Sequence, residues 1–140
     1  MSTNTKINEN PVARTPGAKR ASPGEFFFDL NSVNQISGGP DYSPVFGGCV
    51  EGDRMIVAVM RAPAGKSADL HSHANEQWIY ILEGHIEFFI ENQKKLVGPG
   101  GLIYIPADKL HKAAATQDAD CVFFTCKDAA SGLHGTKHIS

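Results

Sequence analysis

The sequence predicts an all-β fold, a barrel or jelly roll of short strands. At least six segments rich in β-branched and aromatic residues are separated by clusters of glycine, proline and asparagine. No segment shows the apolar periodicity of an amphipathic helix. Short strands without helices between them are typical of barrels and jelly rolls.

The composition fits one globular domain and excludes several classes of function. The chain has 140 residues, of which 41% are hydrophobic, enough to bury a core. Its formal net charge of −2 provides no basic surface for nucleic acid and no attraction to an anionic membrane. The apolar runs are too short to cross a bilayer, and the first residues lack the pattern of a secretory signal. Because three cysteines without CxxC spacing predict no disulfide framework, we expect a cytoplasmic protein.

The chain divides into three predicted parts. Residues 1–25 are polar and interrupted by proline and glycine, which predicts a flexible N-terminal arm. This arm is either solvated or pairs with the sheet of a neighbouring subunit. Residues 26–128 are predicted to form the barrel, and residues 129–140 form a polar C-terminal tail.

Each element of the barrel has its own sequence signal. The run of three phenylalanines at 26–28 is the first segment able to anchor in a core, and residues 31–48 read as a turn-rich connection. A polar hairpin tip is predicted at 92–95. In chain order, the predicted strands cover residues 55–61, 70–82 with a bend near Asn75, 85–90, 102–105, 111–116 and 121–126.

Histidines in two of these segments predict a metal site. His71 and His73 are one residue apart, so a strand presents both on one face, where two imidazoles can bind one ion. Gln77 has the same parity, whereas Glu76 faces the other way. His111 ends a second, glycine-rich approach that begins at residue 98. We therefore predict the ligand set His71, His73, Gln77 and His111.

The first of these stretches resembles the first sequence motif of the cupin superfamily. Gly65, His71, His73, Gln77 and Gly84 fall on the motif spacing, with glutamine where most cupins carry glutamate. The alternative is that Glu76 binds the metal through a bulge at 74–75. Strand parity and the spacing to Gly84 favour Gln77.

The second stretch resembles the second cupin motif. Gly100, Pro106 and His111 fit it, while Asp108 stands at its inner glycine position and Ala115 at its terminal asparagine. The motifs cover residues 65–115, and with flanking strands the resemblance extends over residues 26–128. It implies a cupin double-stranded β-helix, that is, a jelly-roll barrel, and a homodimer.

The predicted donor set is electrically neutral, which bears on the metal and its chemistry. Three neutral imidazoles and an amide oxygen leave the charge of a divalent ion uncompensated, which favours an anionic substrate and Lewis-acid chemistry. Imidazole and oxygen ligands suit Fe, Mn, Ni, Zn and Cu, of which iron or manganese is favoured.

Strand parity also sketches the pocket around the metal. Ile79 and Ile81 are predicted to face inward and form an apolar wall, while Trp78 and Tyr80 face outward. Tyr104 carries the hydroxyl that a proton donor beside the metal ligands would need. No other catalytic residue is identified.

Three functions compete for this site. The pattern with Glu76 directly before Gln77 is similar to that of pectin-degradation cupins that open unsaturated uronate rings, and to that of cupins with hydroxynitrile lyase activity. That resemblance implies enolisation, isomerisation or lyase chemistry on a small carbonyl or hydroxyl substrate. The alternatives are a metal dioxygenase that cleaves a C–C bond of a diketone or phenol, and a non-enzymatic cupin that binds a small ligand or a metal. In each case we expect a small-molecule partner, with no nucleic acid and no membrane.

Overall fold

The fold consists of β-strands in residues 12–130 and 132–139, which are the residues that this computed structural model describes. In chain order the strands are β1 (Lys19–Arg20), β2 (Gln35–Ser37), β3 (Phe46–Glu51), β4 (Met55–Ala62), β5 (Ser67–Ser72), β6 (Gln77–Glu83), β7 (Ile86–Ile90), β8 (Gln93–Val97), β9 (Leu102–Ile105), β10 (His111–Ala115), β11 (Cys121–Asp128) and β12 (Thr136–Lys137). Within those two ranges, no helix is long and apolar enough to span a membrane. The prediction of an all-β fold is confirmed.

The strands form two sheets whose inner faces share one apolar core. The seven-stranded sheet has the order β1-β3-β4-β11-β6-β9, with β2 also paired to β3. The five-stranded sheet has the order β12-β5-β10-β7-β8. The chain passes from one sheet to the other between β5 and β6, which is the connection that carries the histidine motif. Two such sheets make the predicted jelly roll.

Side-chain alternation on β6 shows how the core is filled. Ile79 and Ile81 are buried, whereas Trp78 and Tyr80 are 41% and 42% exposed, as their parity predicts. Each buried isoleucine stabilises the fold by about 1.5–3 kcal/mol. Inward-facing residues of both sheets complete the cluster, among them Ile56, Met60, Ile86, Phe88, Ile103, Ile105 and Phe123.

The structure differs from the predicted domain limits at both ends of the barrel. β1 lies within the predicted arm and pairs in parallel with β3 of the same chain. β12 lies within the predicted tail and pairs with β5. The described part of the arm therefore adds to its own sheet, and the prediction for residues 1–11 lies outside the described residues.

A buried carboxylate explains why the N-terminal segment packs against the barrel. The side chain of Glu51 is fully buried at the end of β3. It accepts hydrogen bonds from the backbone N–H of Arg14 at 2.6 Å and from the hydroxyl of Thr15 at 3.3 Å. Because a buried charge without partners is costly, these contacts hold residues 14 and 15 in place.

Two further local predictions are wrong. Phe26 and Phe27 are 78% and 92% exposed, so the phenylalanine run does not anchor in the core. The predicted hairpin tip at 92–95 is shorter, because residues 93–95 already belong to β8. Glu91 takes a left-handed φ of 56°, which allows a two-residue turn between Ile90 and Gln93.

The predicted turn-rich connection at 31–48 also contains strand residues, because two of its glycines lie in β3. A Cβ on Gly47 would lie 2.0 Å from the carbonyl oxygen of Val59, and one on Gly48 would lie 2.2 Å from that of Leu30. Gly47 permits close backbone approach to β4 within the sheet, and Gly48 permits close approach of the turn at Leu30, so the sequence mistakenly reads as a turn.

Candidate metal centre

Three histidines converge between the two sheets. His111 begins β10 and lies directly opposite His71 on β5. His73 follows β5 at the start of the crossing to the other sheet. All three side chains are buried, and each offers one ligand nitrogen within 4.8 Å of the others. This cluster is able to bind a metal ion.

Backbone carbonyls fix the orientation of each imidazole. The Nδ1 atom of His71 lies 2.6 Å from the carbonyl oxygen of Asp69, and that of His111 lies 2.8 Å from that of Lys109. The Nδ1 atom of His73 lies 2.8 Å from the carbonyl oxygen of Asn75. Because a carbonyl only accepts hydrogen bonds, each Nδ1 carries the proton and each Nε2 keeps its lone pair for a metal.

Burial keeps the cluster neutral. Desolvation is the main cause that lowers the pKa of all three histidines, to about 4 for His73 and about 3 for His111. For His73 the nearby charge of Lys127 acts in the same direction, and for His111 that of His71 does. Neutral imidazoles are the form that binds metals, so no proton has to leave at neutral pH.

One buried atom tests whether a metal fits. The Nε2 atom of His73 is buried and has no hydrogen-bond partner. An orphaned buried acceptor is unfavourable by about 1–3 kcal/mol, and metal coordination would satisfy it. The three-histidine cluster therefore fits a divalent ion, which it would hold through the Nε2 atoms.

Gln77 lies at the same cavity from the opposite sheet. Its side-chain Nε2 donates to the Thr125 hydroxyl at 2.8 Å, and that hydroxyl donates to the carbonyl oxygen of Trp78 at 2.8 Å. The amide is thereby oriented, and its carbonyl oxygen is left for another partner. Gln77 as a fourth ligand remains a prediction.

The cavity that contains the cluster is small and mostly apolar. Its volume of about 80 Å³ is lined by the three histidines, Gln77, Thr125, Lys127, Tyr42 and apolar side chains of both sheets. Ile79 and Ile81 were both predicted to face inward. Ile79 lines the cavity, whereas Ile81 lies in the apolar core. A volume of this size corresponds to roughly five to eight water-sized groups. The enclosed part therefore suits a small substrate.

Tyr104 and Glu76 lie outside this cavity. On β9 the inward residues are Ile103 and Ile105, so Tyr104 points outward and donates its hydroxyl to the carboxylate of Glu76 at 2.8 Å. The prediction of Tyr104 as a proton donor beside the metal is wrong for this reason. Glu76 is exposed, and the alternative in which it replaces Gln77 as a ligand finds no support.

Asn75 shapes the crossing between the motif histidines and Gln77. Its carbonyl oxygen accepts from His73, and its side-chain Nδ2 donates to the carbonyl oxygens of Asp128 at 2.7 Å and Gly132 at 2.8 Å. The predicted bend near Asn75 is thus held by side-chain hydrogen bonds. It preserves the inward direction of Gln77 although the strand is interrupted.

In the second motif, Asp108 stands at the inner glycine position and adopts a backbone conformation that glycine favours. Asp108 has a φ of +66°, a left-handed conformation that aspartate tolerates better than most residues. Its backbone N–H donates to the carbonyl oxygen of His73 at 2.8 Å. The turn that leads into His111 is therefore formed with aspartate at the inner glycine position.

Several residues at the cavity were missed by sequence reasoning. Tyr42 stacks on His71 with ring centroids 4.1 Å apart, and its hydroxyl accepts from the backbone N–H of Gly135 at 2.8 Å. Thr125 and Lys127 share the inward face of β11, a parity signal that the sequence does contain. Tyr42 lies in a connection without periodicity, so no sequence signal could have placed it.

Lys127 is the charged residue of the cavity wall. It is 3% exposed, and burial lowers its pKa to about 7, while Asp128 and Cys49 act in the opposite direction. Its Nζ donates to the carbonyl oxygen of Leu133. The cavity thus combines neutral metal-binding groups with one buried amine.

The comparisons with known proteins agree with this architecture. Residues 58–126 match the family model of the cupin domain. Residues 58–126 are therefore a cupin domain, and the histidine cluster occupies the two motifs that the sequence predicted. A comparison with curated protein sequences gives no match.

Solved structures show the same fold at low sequence identity. KdgF from Halomonas sp. is 19% identical with a TM-score of 0.63, and the alignment covers 74% of this chain and 93% of that chain. The polyketide cyclase RemF from Streptomyces resistomycificus is 21% identical with a TM-score of 0.65, over 74% of this chain and 79% of that chain. A predicted oxalate decarboxylase from Thermotoga maritima is 18% identical with a TM-score of 0.63, over 74% and 99% respectively.

Proposed function

We propose that this cupin is a metal-dependent enzyme that performs Lewis-acid chemistry on a small substrate with a carbonyl or hydroxyl group. The observation that carries the proposal is the convergence of three imidazoles whose Nδ1 atoms are all engaged by backbone carbonyls. His71, His73 and His111 would hold the ion, and Gln77 would contribute its amide oxygen. The bound metal would polarise the substrate oxygen and so favour enolisation, isomerisation or elimination.

The charges around the cluster favour Lewis-acid over redox chemistry. Among the described residues, the side chains that line the cavity include no carboxylate. A neutral ligand set beside the buried amine of Lys127 makes a trivalent metal unfavourable, because nothing there compensates its third charge. A small anionic substrate or an enolate would supply the missing negative charge. Iron or manganese remains the favoured metal.

The protein's own residues would exclude water and orient the substrate. Ile79, Ile103 and Phe123 line the cavity and keep its dielectric low, which strengthens each polar contact. Tyr42 closes one side by stacking on His71. Such a wall leaves room for one small molecule beside the cluster.

A dioxygenase is the second candidate, and the apolar wall is the observation that favours it, since that wall suits an aromatic or diketone substrate. The enclosed volume of about 80 Å³ favours a smaller substrate than a large phenolic molecule. A protein that only binds a ligand or a metal is the third candidate. Solved structures with this fold include the polyketide cyclase RemF and the DMSP lyase DddQ from Ruegeria pomeroyi, and neither name denotes an oxygenase.

Metal content is the first test. We expect close to one metal per chain in the purified or reconstituted protein, its loss in His73→Ala, and its retention in the control His85→Ala, whose side chain is exposed outside the cavity.

The metal-loaded protein is then incubated in D₂O with small oxo and hydroxy acids, and NMR monitors deuterium incorporation next to the carbonyl. Oxygen uptake with diketones or phenols, without such exchange, would favour the dioxygenase. If no metal binds after reconstitution, both enzymatic functions are refuted.

A further inference from the structure

Lys127 occupies an interior position that hydrophobic residues normally fill. On β11 the inward residues are Phe123, Thr125 and Lys127, and Lys127 lies opposite Gln77 in the adjacent strand β6. Its side chain lines the same cavity as the three-histidine cluster. Lysine is almost never fully buried unless it has a partner, so its position calls for a function.

Among the described residues, the Lys127 amine has no anionic partner. Among the salt bridges of the described residues, none involves Lys127, and the protonated amine has three donors, of which one is directed to the carbonyl oxygen of Leu133. The buried carboxylate of Glu51 lies in the same cross-strand row but two strands away, and it is occupied by Arg14 and Thr15. The cavity therefore holds an amine with donors that the described residues leave unused.

A purely structural role for Lys127 explains less. Its hydrogen bond to Leu133 could tether the C-terminal segment, but the backbone N–H of Leu133 already donates to the hydroxyl of Thr15 at 2.7 Å. Asn75 binds the neighbouring carbonyl oxygen of Gly132 at 2.8 Å. A second tether by a buried charge would lower stability through desolvation without an evident gain.

We propose that Lys127 binds the carboxylate of the substrate, which is a small oxo- or hydroxycarboxylate. The carboxylate would accept the unused donors of the amine, and the oxo or hydroxyl oxygen of the same molecule would face the histidine cluster. The cavity volume of about 80 Å³ limits the enclosed part of this molecule to roughly five to eight non-hydrogen atoms. This inference rests on the proposed function, because it names the substrate class for the same site.

A matched pair of probes separates charge from shape. Pyruvate and its neutral isostere pyruvamide are titrated calorimetrically into metal-free protein, so that the result does not depend on metal binding. We expect wild type to prefer pyruvate by about tenfold or more, the size of one hydrogen bond to a charged group. Lys127→Met should lose this preference. Lys94→Met, which removes an exposed lysine of β8, should keep it.

Thermal unfolding distinguishes the binding role from a structural one. Metal-free Lys127→Met should unfold at a higher temperature than wild type, because an unpaired buried charge is removed, whereas a tethering role predicts a lower one. Lys127→Gln serves as a second neutral variant if the methionine variant does not fold. Equal preference for pyruvate in wild type and in either variant, or no preference in wild type, overturns the inference. Normal metal content with no anion preference would leave the proposed function standing and refute this inference alone.

Discussion

Thr125 offers the sharpest test of whether Gln77 is a metal ligand. Its hydroxyl holds the Gln77 amide at 2.8 Å and is itself fixed by the carbonyl oxygen of Trp78. Thr125→Val removes the hydroxyl at nearly constant volume and leaves the Gln77 amide nitrogen buried without its partner. In this variant the Gln77 amide therefore loses its fixed orientation, while the three histidines stay in place.

Two magnitudes follow from this arrangement. Loss of a hydrogen-bond partner that orients a ligand typically lowers metal affinity by about 10- to 100-fold, or about 1.4–2.7 kcal/mol. An unsatisfied buried amide nitrogen lowers the free energy of unfolding by about 1–3 kcal/mol. For a chain of 140 residues this corresponds to a decrease in Tm of roughly 3–10 °C.

The assay combines competition titration against a chelator with thermal unfolding of the metal-free protein. Thr116→Val is the control, because Thr116 bonds the exposed Asp118 away from the cavity and its hydroxyl touches no proposed ligand. We expect both quantities to fall for Thr125→Val and neither to change much for the control. If stability falls while metal affinity stays within about twofold, Gln77 is not a ligand.

Two more predictions concern the pH and the motif glycines. In the unfolded chain, histidines bind protons below a pKa of about 6.5, whereas burial in the folded protein lowers the pKa of His73 and His111 well below this value. Protonation therefore favours the unfolded state, and metal-free protein should lose about 2 kcal/mol of stability per histidine between pH 6.5 and 5. Urea unfolding at a series of pH values measures this loss; His73→Leu should flatten the profile, and a constant stability over this range would contradict the neutral cluster. Gly84→Ala should destabilise the protein by roughly 3 kcal/mol or more, because Gly84 has a φ of +74° and a Cβ there would lie 2.1 Å from the carbonyl oxygen of Asp120. Gly100→Ala, with a φ of +88° and no atom within 4 Å of its Cβ, isolates the backbone effect of roughly 1 kcal/mol in the same denaturation assay, and equal losses in the two variants would refute the steric explanation.

The sequence predicted the parts of the fold where local pattern and burial agree. The strand predicted at 102–105 matches β9, and the inward parity of Ile79 was right because β6 has one core face and one outer face. The motif spacing brought the three histidines together correctly, since each stands at or beside the end of a regular strand.

The remaining errors have physical causes that a single sequence does not reveal. Gly47 and Gly48 look like turn residues, but they are needed where the backbones of β4 and of the turn at Leu30 approach β3 closely. Phe26 and Phe27 look like core residues, although hydrophobic side chains are also common on surfaces. Lys127 follows the last predicted strand, and hydropathy alone predicts an exposed position for a lysine, whereas its side chain is buried.

The contacts that complete the cavity join distant parts of the chain, and this bears on when a metal can be acquired. Leu133 lines the cavity and is held by the Thr15 hydroxyl, while the Gly135 backbone binds the hydroxyl of Tyr42. During synthesis, residues 71, 73 and 111 are made before this closing segment. At that stage the last segment would not yet be folded, and the histidine cluster of the nascent barrel would be exposed to solvent. We therefore expect stable metal loading to occur after translation has passed residue 135, so that the cellular supply of the metal acts on the finished chain rather than on its folding intermediates.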